Sequence, residues 1–381
     1  MNLPYVNISF QNGQLGITEP TADGICGLIP AGAVVVASYE ENNGTAYLVN
    51  SLGCITKSGT DALTYEMIRE FFDEAGEGAL LWLLNYKPTT PELGVATLQA
   101  LANGACRAIG VVEPLTANAV ATDVAALQTA AEGLVASYSP AMVVAGIKTP
   151  DTIGSATALA NANRVAVVCG NEITGVSATD AILDDAAAVG LLLGRIAKNP
   201  VEVSVARVAD GAIKADDLRF GTDKITKADA STLSGKGYIV PRTWVGKSGF
   251  FWSSDSMAVE VTDDYSLIPR RRTIDKAFRI AYKALLDEVG TQIPVTSTGT
   301  IPVATAKSIE ALVETALERG MTNQGNLGTD PDDDTDNGII VYVNPNQNVV
   351  GTSQLKVSVK VKPYGYAYYI SADLSFYTTN E

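Results

Sequence analysis

The sequence predicts an α/β fold, in which an open and largely parallel sheet with flanking helices is followed by an α+β C-terminal domain. Extended, strand-like N- and C-terminal arms complete this prediction. Between residues 79 and 200, short continuous apolar runs alternate with alanine-rich segments of helical spacing. From residue 338 onwards, the chain contains three runs typical of β-strands. Continuous apolar runs are typical of strands covered on both faces, which favours a parallel sheet.

Four apolar runs predict the strands of this sheet, at residues 80–84, 108–112, 141–147 and 164–169. The segments between them predict connecting helices, at 95–102, 123–137 and 151–161. A helix over 64–74 precedes the series, and a longer helix over 179–197 is stopped by Asn199 and Pro200. This βαβ order implies parallel strands with helices on both faces of the sheet.

Beyond residue 200 the composition changes. We expect short strands at 238–245 and 250–252, a helix over 269–289 and a second helix over 304–319. The first helix has an apolar stripe, which predicts its buried face: Ile274, Phe278, Tyr282 and Leu285. Its opposite face is strongly basic and carries Arg270, Arg271, Arg272, Lys276, Arg279 and Lys283. The second helix has an acidic polar face.

The expected organisation has four parts. An N-terminal linking arm (1–20) leads into an α/β body (21–240), a C-terminal α+β domain (241–365) and a C-terminal linking strand (366–381). The first arm alternates through Tyr5, Val6, Ile8 and Phe10, and the last strand contains Tyr369, Ile370, Leu374 and Phe376. Unpaired main-chain groups on such strands are a template for β-strand addition to another chain. We therefore expect both arms to link each subunit to its neighbours in an assembly.

Composition excludes several classes of function. The 381 residues carry a net charge of −15, which argues against a nucleic-acid partner because such binding needs a basic surface. Histidine is absent, so Ser-His-Asp, Cys-His and histidine-zinc chemistry are excluded. The four cysteines form no CxxC pair, and no stretch is suited to direct membrane insertion. We expect no cofactor and synthesis in a reducing cytoplasm.

Two local patterns resemble ligand sites but lack a necessary residue. Gly246, Lys247 and Ser248 match the end of a phosphate-binding loop, yet Pro241 stands where that loop needs a glycine. Residues 333–340 match the start of a calcium loop, but its twelfth position is Asn344 rather than a bidentate glutamate. An acidic turn exposed to solvent is the simpler interpretation. The sequence thus predicts no catalytic, cofactor-binding or metal-binding residues.

A series of segments resembles the contractile-tail sheath proteins. In order, they are VGLLLGRIAKNPVEVSVAR at 189–207, FWSSDSM at 251–257, IPRRRTIDK at 268–276, VNPNQNVV at 343–350 and LKVSVKVKPYGYA at 355–367. The resemblance covers residues 180–381 well and the earlier α/β region more loosely, and it is weakest over the first 60 residues. No single segment is diagnostic, but their succession is fairly specific.

This resemblance implies a structural subunit of the outer cylinder of a phage tail or related injection machine. Such subunits form stacked hexameric rings around an inner tail-tube protein, are linked by strand addition and contract to drive the tube through a target envelope. The implied partners are copies of the chain itself, the tube, and baseplate and terminator proteins. The implied location is a tail or injection-machine sheath assembled in the bacterial cytoplasm, and the basic helix at 270–283 would face the tube.

Other interpretations remain open from the residues themselves. The basic helix is equally explained as a solvated face whose arginines pair with nearby carboxylates such as Asp263 and Asp264. An open α/β sheet also suits an enzyme or a small-molecule-binding domain, since such sheets bind ligands at the carboxyl ends of their strands. A non-contractile shell subunit would share the arms but lack a tube partner.

Overall fold

A computed structural model describes residues 21–116, 119–150, 152–172 and 187–376, and its largest element is the predicted sheet. The sheet's strands are β1 (Cys26–Ile29), β2 (Glu41–Asn43), β3 (Ala46–Val49), β4 (Leu81–Leu84), β5 (Ala108–Leu115), β6 (Met142–Ile147) and β7 (Val165–Cys169). Among the described residues, seven strands pair in the order β2-β3-β4-β1-β5-β6-β7. β1, β4, β5, β6 and β7 run parallel, whereas β2 and β3 join as antiparallel strands. The predicted α/β class is confirmed.

Helices cover both faces of this sheet. On one face lie α1 (Ala62–Ala75) and α4 (Val189–Lys198), and on the other lie α2 (Pro91–Leu101) and α3 (Val120–Ala136). Successive strand residues alternate between the two cores: Leu81 and Leu83 pack with α1 and α4, whereas Trp82 and Leu84 pack with α2 and α3. All four strand residues are buried, which explains the continuous apolar run in the sequence.

Neither edge of the sheet is a long, open strand. At one edge, the main chain of β7 is covered, because the Cys169 amide donates to Ile239 O at 3.0 Å and the Ala258 amide donates to Val165 O at 2.7 Å. At the other edge lies β2, a three-residue strand of Glu41, Asn42 and Asn43. Short, polar edge strands are a common way in which proteins avoid pairing with other chains.

Helices α1 and α4 contact each other closely through glycine and a buried ion pair. Gly190 and Gly194 face the α1 backbone, where a Cβ on Gly190 would overlap the Met67 carbonyl oxygen. The guanidinium of Arg195 donates to the carboxylate of Glu74, and both side chains are buried. Glu70 accepts a hydrogen bond from the Leu191 amide at 3.3 Å, and its burial, with the nearby charge of Glu172, raises its pKa well above 4.5.

Short elements extend the body after β7. They are β8 (Asn171–Glu172), β9 (Leu218–Phe220), β10 (Asp223–Lys224), α5 (Lys227–Ser234), β11 (Pro241–Arg242) and β12 (Phe251–Trp252). β9 lies between β8 and β10 in an antiparallel sheet, and β11 pairs with β12. The long helix α6 (Ile268–Leu286) follows and matches the predicted basic helix.

The remaining elements are α7 (Val303–Gly320), β13 (Ile339–Val343), the short helix α8 (Val349–Thr352) and β14 (Val357–Val361). Packing divides the chain into two compact units, with the boundary between Lys283 and Ala284. The predicted boundary between residues 240 and 241 therefore falls inside the first unit. No helix among the described residues is long and apolar enough to cross a membrane.

One predicted helix is wrong. The described residues 152–161 contain a single 3-10 turn, Ile153–Ser155, instead of a helix over 151–161. Lys236 Nζ donates to the carbonyl oxygens of Gly154 and Ala156, at 2.7 and 2.5 Å, so these carbonyls bond to a distant lysine. The helix expected from residue 179 begins at Val189 within the described residues, and residues 173–186 lie outside them.

The α1–α4 contact yields a test. Gly190→Ala places a methyl group against backbone that cannot rotate away, so we expect a loss of about 1–3 kcal/mol in the free energy of unfolding. Gly133→Ala in α3 is the matched control, because a Cβ there would have nothing within 4 Å. That control should gain about 0.5–1 kcal/mol through helix propensity. Urea unfolding followed by circular dichroism measures both, and equal stability of the two variants would contradict the proposed close contact.

Candidate assembly surfaces

The C-terminal segment is largely exposed. Residues 363–376 carry no helix or strand, and within the described residues no ladder partner is assigned to them. The relative exposures of Tyr369, Ile370, Leu374 and Phe376 are 98%, 85%, 98% and 103%. Four large apolar side chains this exposed within eight residues are unusual for a soluble surface. The segment therefore has the exposure that a linking strand needs before it pairs.

The side chains of this segment alternate in character. Every even position from Tyr366 to Phe376 is apolar or aromatic, and the odd positions 371, 373 and 375 are Ser, Asp and Ser. In a strand, alternate residues point to opposite faces. If residues 366–376 extend as a strand, one face is therefore apolar and the other is mostly polar.

Strands β13 and β14 form an antiparallel hairpin in the second unit. Ile340 lies opposite Lys360, and Tyr342 lies opposite Ser358. Helix α7 packs against the hairpin, with Ile309 in the same apolar cluster as Val343 and the partly buried Val357. Val357, Val359 and Val361 are only half-buried, although they alternate with exposed polar residues. The apolar layer of this small sheet is thus incompletely covered.

The hydrogen-bonding pattern shows which main-chain groups point outward from the hairpin. The Lys362 amide donates to Gly338 O at 2.9 Å, so this pair faces inward. Inward and outward pairs alternate in an antiparallel ladder. Residues 358 and 360 therefore point towards β13, and the N–H and C=O groups of Val357, Val359 and Val361 point away from it. No partner for these outward groups occurs among the described residues.

The outer edge of β13, in contrast, is partly occupied. The Val343 amide donates to Glu310 Oε1 at 2.9 Å, and the Ile339 amide donates to Asn337 Oδ1 at 3.0 Å. The hydrogen bond from Lys307 and then that from the Val343 amide lower the pKa of Glu310 below 4.5. Glu310 thus remains an ionised acceptor at neutral pH. Of the two edges of this hairpin, that of β14 is the more open.

The residues predicted for the N-terminal arm, Tyr5, Val6, Ile8 and Phe10, lie outside the described residues. Their role stays a prediction. The described chain begins at Thr21, and the next residues, Ala22 to Gly24, contact Arg107, Arg272 and the end of α4.

The expected exposed face of the basic helix is wrong. Arg271, Arg272 and Lys276 in α6 are buried, Arg270 and Arg279 are half-buried, and Lys283 is exposed. The predicted apolar stripe is correspondingly open: Ile274, Phe278 and Leu285 are half-buried and Tyr282 is exposed. Phe278 stacks on Tyr282, and Tyr282 stacks on Tyr138 with ring centroids 4.7 Å apart. The helix is therefore turned opposite to the expected direction.

Buried partners explain this orientation. Asp275 accepts two hydrogen bonds from Arg164, each 3.0 Å long, and one from Arg271 at 2.9 Å. The guanidinium of Arg271 also lies 4.2 Å from the centroid of the Tyr265 ring. Arg272 donates to the carbonyl oxygens of Pro200, Asn199 and Asp23. Burial of Arg164, Arg271 and Arg272 is tolerated because each guanidinium contacts a carboxylate, an aromatic ring or carbonyl oxygens.

A groove of about 770 Å³ lies between α2 and α3 and is lined largely by small apolar residues such as Ala96, Ala100, Ala126 and Gly133. Within the described ranges, no group of three or more acidic or cysteine side chains is placed to hold a metal ion. In the acidic turn, Asp336 forms an ion pair with Lys362 and accepts a hydrogen bond from the Gly338 amide.

The inverted helix yields a second test. Arg272→Met keeps the side-chain length but leaves three carbonyl groups without their donor, so we expect a loss of about 3 kcal/mol in the free energy of unfolding. Lys283→Met on the same helix is the control and should change stability by about 0.5 kcal/mol or less, since Lys283 is exposed. Chemical denaturation measures both. If both substitutions had similarly small effects on stability, the buried position of Arg272 would be contradicted, and an exposed basic face would be the better interpretation.

Comparisons with solved structures confirm the sheath-like fold. The chain aligns with a chain of the anti-feeding prophage (AFP) helical sheath in its contracted state at a TM-score of 0.64 and 17% identity, covering 98% of this chain and 99% of that one. A chain of the AFP baseplate aligns with a TM-score of 0.66 at 17% identity, covering 99% and 100%. The sheath tail protein of Desulfitobacterium hafniense aligns with a TM-score of 0.51 at 11% identity, covering 90% and 93%.

At these identities the likeness establishes a shared fold along nearly the whole chain. No curated protein sequence matches. Two family models do: the DUF2586 N-terminal domain matches residues 3–256, and the DUF2586 C-terminal domain matches residues 264–381, so the chain belongs to the DUF2586 family.

Proposed function

We propose that this protein is the structural subunit of a contractile sheath, which polymerises by strand addition between subunits. One observation carries the proposal: the same chain has an exposed segment with strand-like alternation and a hairpin whose outer edge at β14 lacks main-chain partners among the described residues. A donor and an acceptor on one chain allow identical copies to link in series. The shared fold with a chain of the AFP sheath supports the same assignment.

The β14 edge suits the C-terminal segment of a neighbouring copy. Main-chain groups of Val357, Val359 and Val361 would pair with the incoming strand, which satisfies polar groups on both. The apolar face of residues 366–376 would then cover the half-buried valines and extend the layer that packs on α7. The body sheet is a poorer acceptor because β7 is covered and β2 is short and polar.

In the proposed sheath, copies of this chain form stacked hexameric rings around an inner tube, between a baseplate and a terminator. Main-chain hydrogen bonds depend little on side-chain identity, so strand links persist while subunit bodies move during contraction. Of the six cations that the sequence assigns to a tube contact through α6, only Lys283 is exposed, so this face has little charge to offer a tube. The sheath assignment does not depend on that contact.

The two faces of the C-terminal segment provide a test. Ile370→Asp with Leu374→Asp puts charge on the apolar face, which would be buried in the linked sheet, so cylinders should not form. Ser371→Asp with Ser375→Asp adds the same charge to the other face and should leave cylinders intact. Negative-stain electron microscopy and sedimentation measure assembly, and deletion of residues 371–381 defines the zero level. Cylinders of normal length from the deletion variant would contradict the linking role.

The acceptor edge has its own test. Val359→Pro removes an outward N–H while the ladder groups of residues 358 and 360 remain in place, so the monomer should fold and assembly should stop. Val359→Thr retains the N–H and should assemble. A melting temperature of V359P within about 5 °C of wild type separates an assembly defect from unfolding. Normal cylinders from a folded V359P protein would show that another edge accepts the strand.

A further inference from the structure

Cations of α6 contact residue 23, close to the start of the described chain. Asp23 accepts a hydrogen bond from Arg279 at 2.9 Å and forms an ion pair with Lys276 Nζ at 2.6 Å. Lys276 and Arg279 are three residues apart on α6, so they present adjacent donors on one face of the helix. One carboxylate is thus held by two cations that lie more than 250 residues further along the chain.

The contact of Asp23 with Lys276 and Arg279 is electrostatically favourable. Burial opposes ionisation of Asp23, but the hydrogen bond and charge of Lys276, together with the charges of Arg279 and Arg272, outweigh it and lower the pKa of Asp23 below 3.8. A carboxyl group with a lowered pKa in the folded state stabilises that state at pH values above its unfolded pKa. The contact is therefore fully formed at neutral pH and weakens as the pH falls through the folded pKa.

Main-chain contacts fix the same short segment. Arg107 donates to Ala22 O at 3.0 Å, and its other guanidinium nitrogen donates to Gly104 O at 2.8 Å. Arg272 donates to Asp23 O at 3.2 Å and also to the carbonyl groups that follow α4. Gly24 passes so close to the end of α4 that a Cβ there would overlap the Ala197 carbonyl oxygen. Residues 22–24 are thus held on several sides.

We propose that Arg107, Arg272, Lys276 and Arg279 form a clamp that fixes residues 22–24 as the root of the N-terminal linking arm. The inference rests on the proposed function, which makes residues 1–20 a link to a neighbouring subunit. β1 begins two residues beyond the clamp and pairs on both sides, with β4 and β5. A pull on the chain at residue 22 therefore reaches α6 and the sheet's interior through Asp23. The basic face of α6 serves this internal anchor.

The test combines a measurement on the free subunit with one on the assembly. Asp23→Asn removes the negative charge but keeps the shape of the side chain, and Lys276→Met with Arg279→Met removes the two cations. In both variants, amide hydrogen exchange of residues 22–26 should rise by about tenfold or more. Asp217→Asn is the matched control, because Asp217 pairs with Arg219 at the surface and should leave this exchange unchanged. Combining all three substitutions should add little, since they break the same contact.

Cylinders of D23N should be shorter than wild type and dissociate at lower urea, as judged by electron microscopy and sedimentation. Unchanged exchange at residues 22–26 would overturn the clamp, and so would faster exchange with cylinders as resistant as wild type. A fall of more than about 10 °C in the melting temperature of both clamp variants would also overturn it, since Asp23 would then hold the body together. If wild-type protein forms no cylinders, the proposed function fails, and the exchange measurement alone decides whether the root is clamped.

Discussion

Main-chain hydrogen bonding is the constraint on which the architecture of this protein depends. A strand edge needs a partner or protection from pairing, and the two kinds of sheet in this chain meet that need differently. The body sheet has one edge covered by residues 239 and 258 and the other reduced to three polar residues. The β13–β14 hairpin keeps the outward groups of Val357, Val359 and Val361 without partners among the described residues. The edges of the body sheet are therefore covered or short, whereas the β14 edge of the hairpin is open within the described residues.

The parallel sheet was predictable because each of its main strands is a continuous apolar run that can be recognised from neighbouring residues alone. β4, β6 and β7 are continuous apolar runs, and each is buried on both faces, so the sequence pattern and the environment agree. β1 was not predicted although it is equally buried, because Gly27 interrupts its apolar run; a Cβ at Gly27 would lie against Leu98 and Cys106. The segment at 152–161 is alanine-rich, but helix propensity is a weak prior, and the structure has a single 3-10 turn there.

The orientation of α6 could not be predicted because its partners are remote in sequence. Periodicity identifies an apolar stripe and a basic stripe but cannot tell which lies inside when both are buried in part. Here Asp23 and the carbonyl groups of Asn199 and Pro200, all remote from α6 in sequence, accept hydrogen bonds or ion pairs from the basic stripe. The aromatic rings of Phe278, Tyr282 and Tyr138 stack at the surface. A run of arginines is thus compatible with an interior position when carboxylates and helix-end carbonyl groups come from distant segments.

The separation of the exposed segment at 366–376 from the open edge of β14 has a consequence for polymer growth. If one copy donates and the next accepts, the contact is heterologous, so a series of copies that does not close into a ring has two chemically different ends. One end of such a series offers a vacant β14 edge, and the other offers an unpaired tail. Elongation of the series would then have a polarity built into every subunit, and each end would need a different kind of partner to stop it.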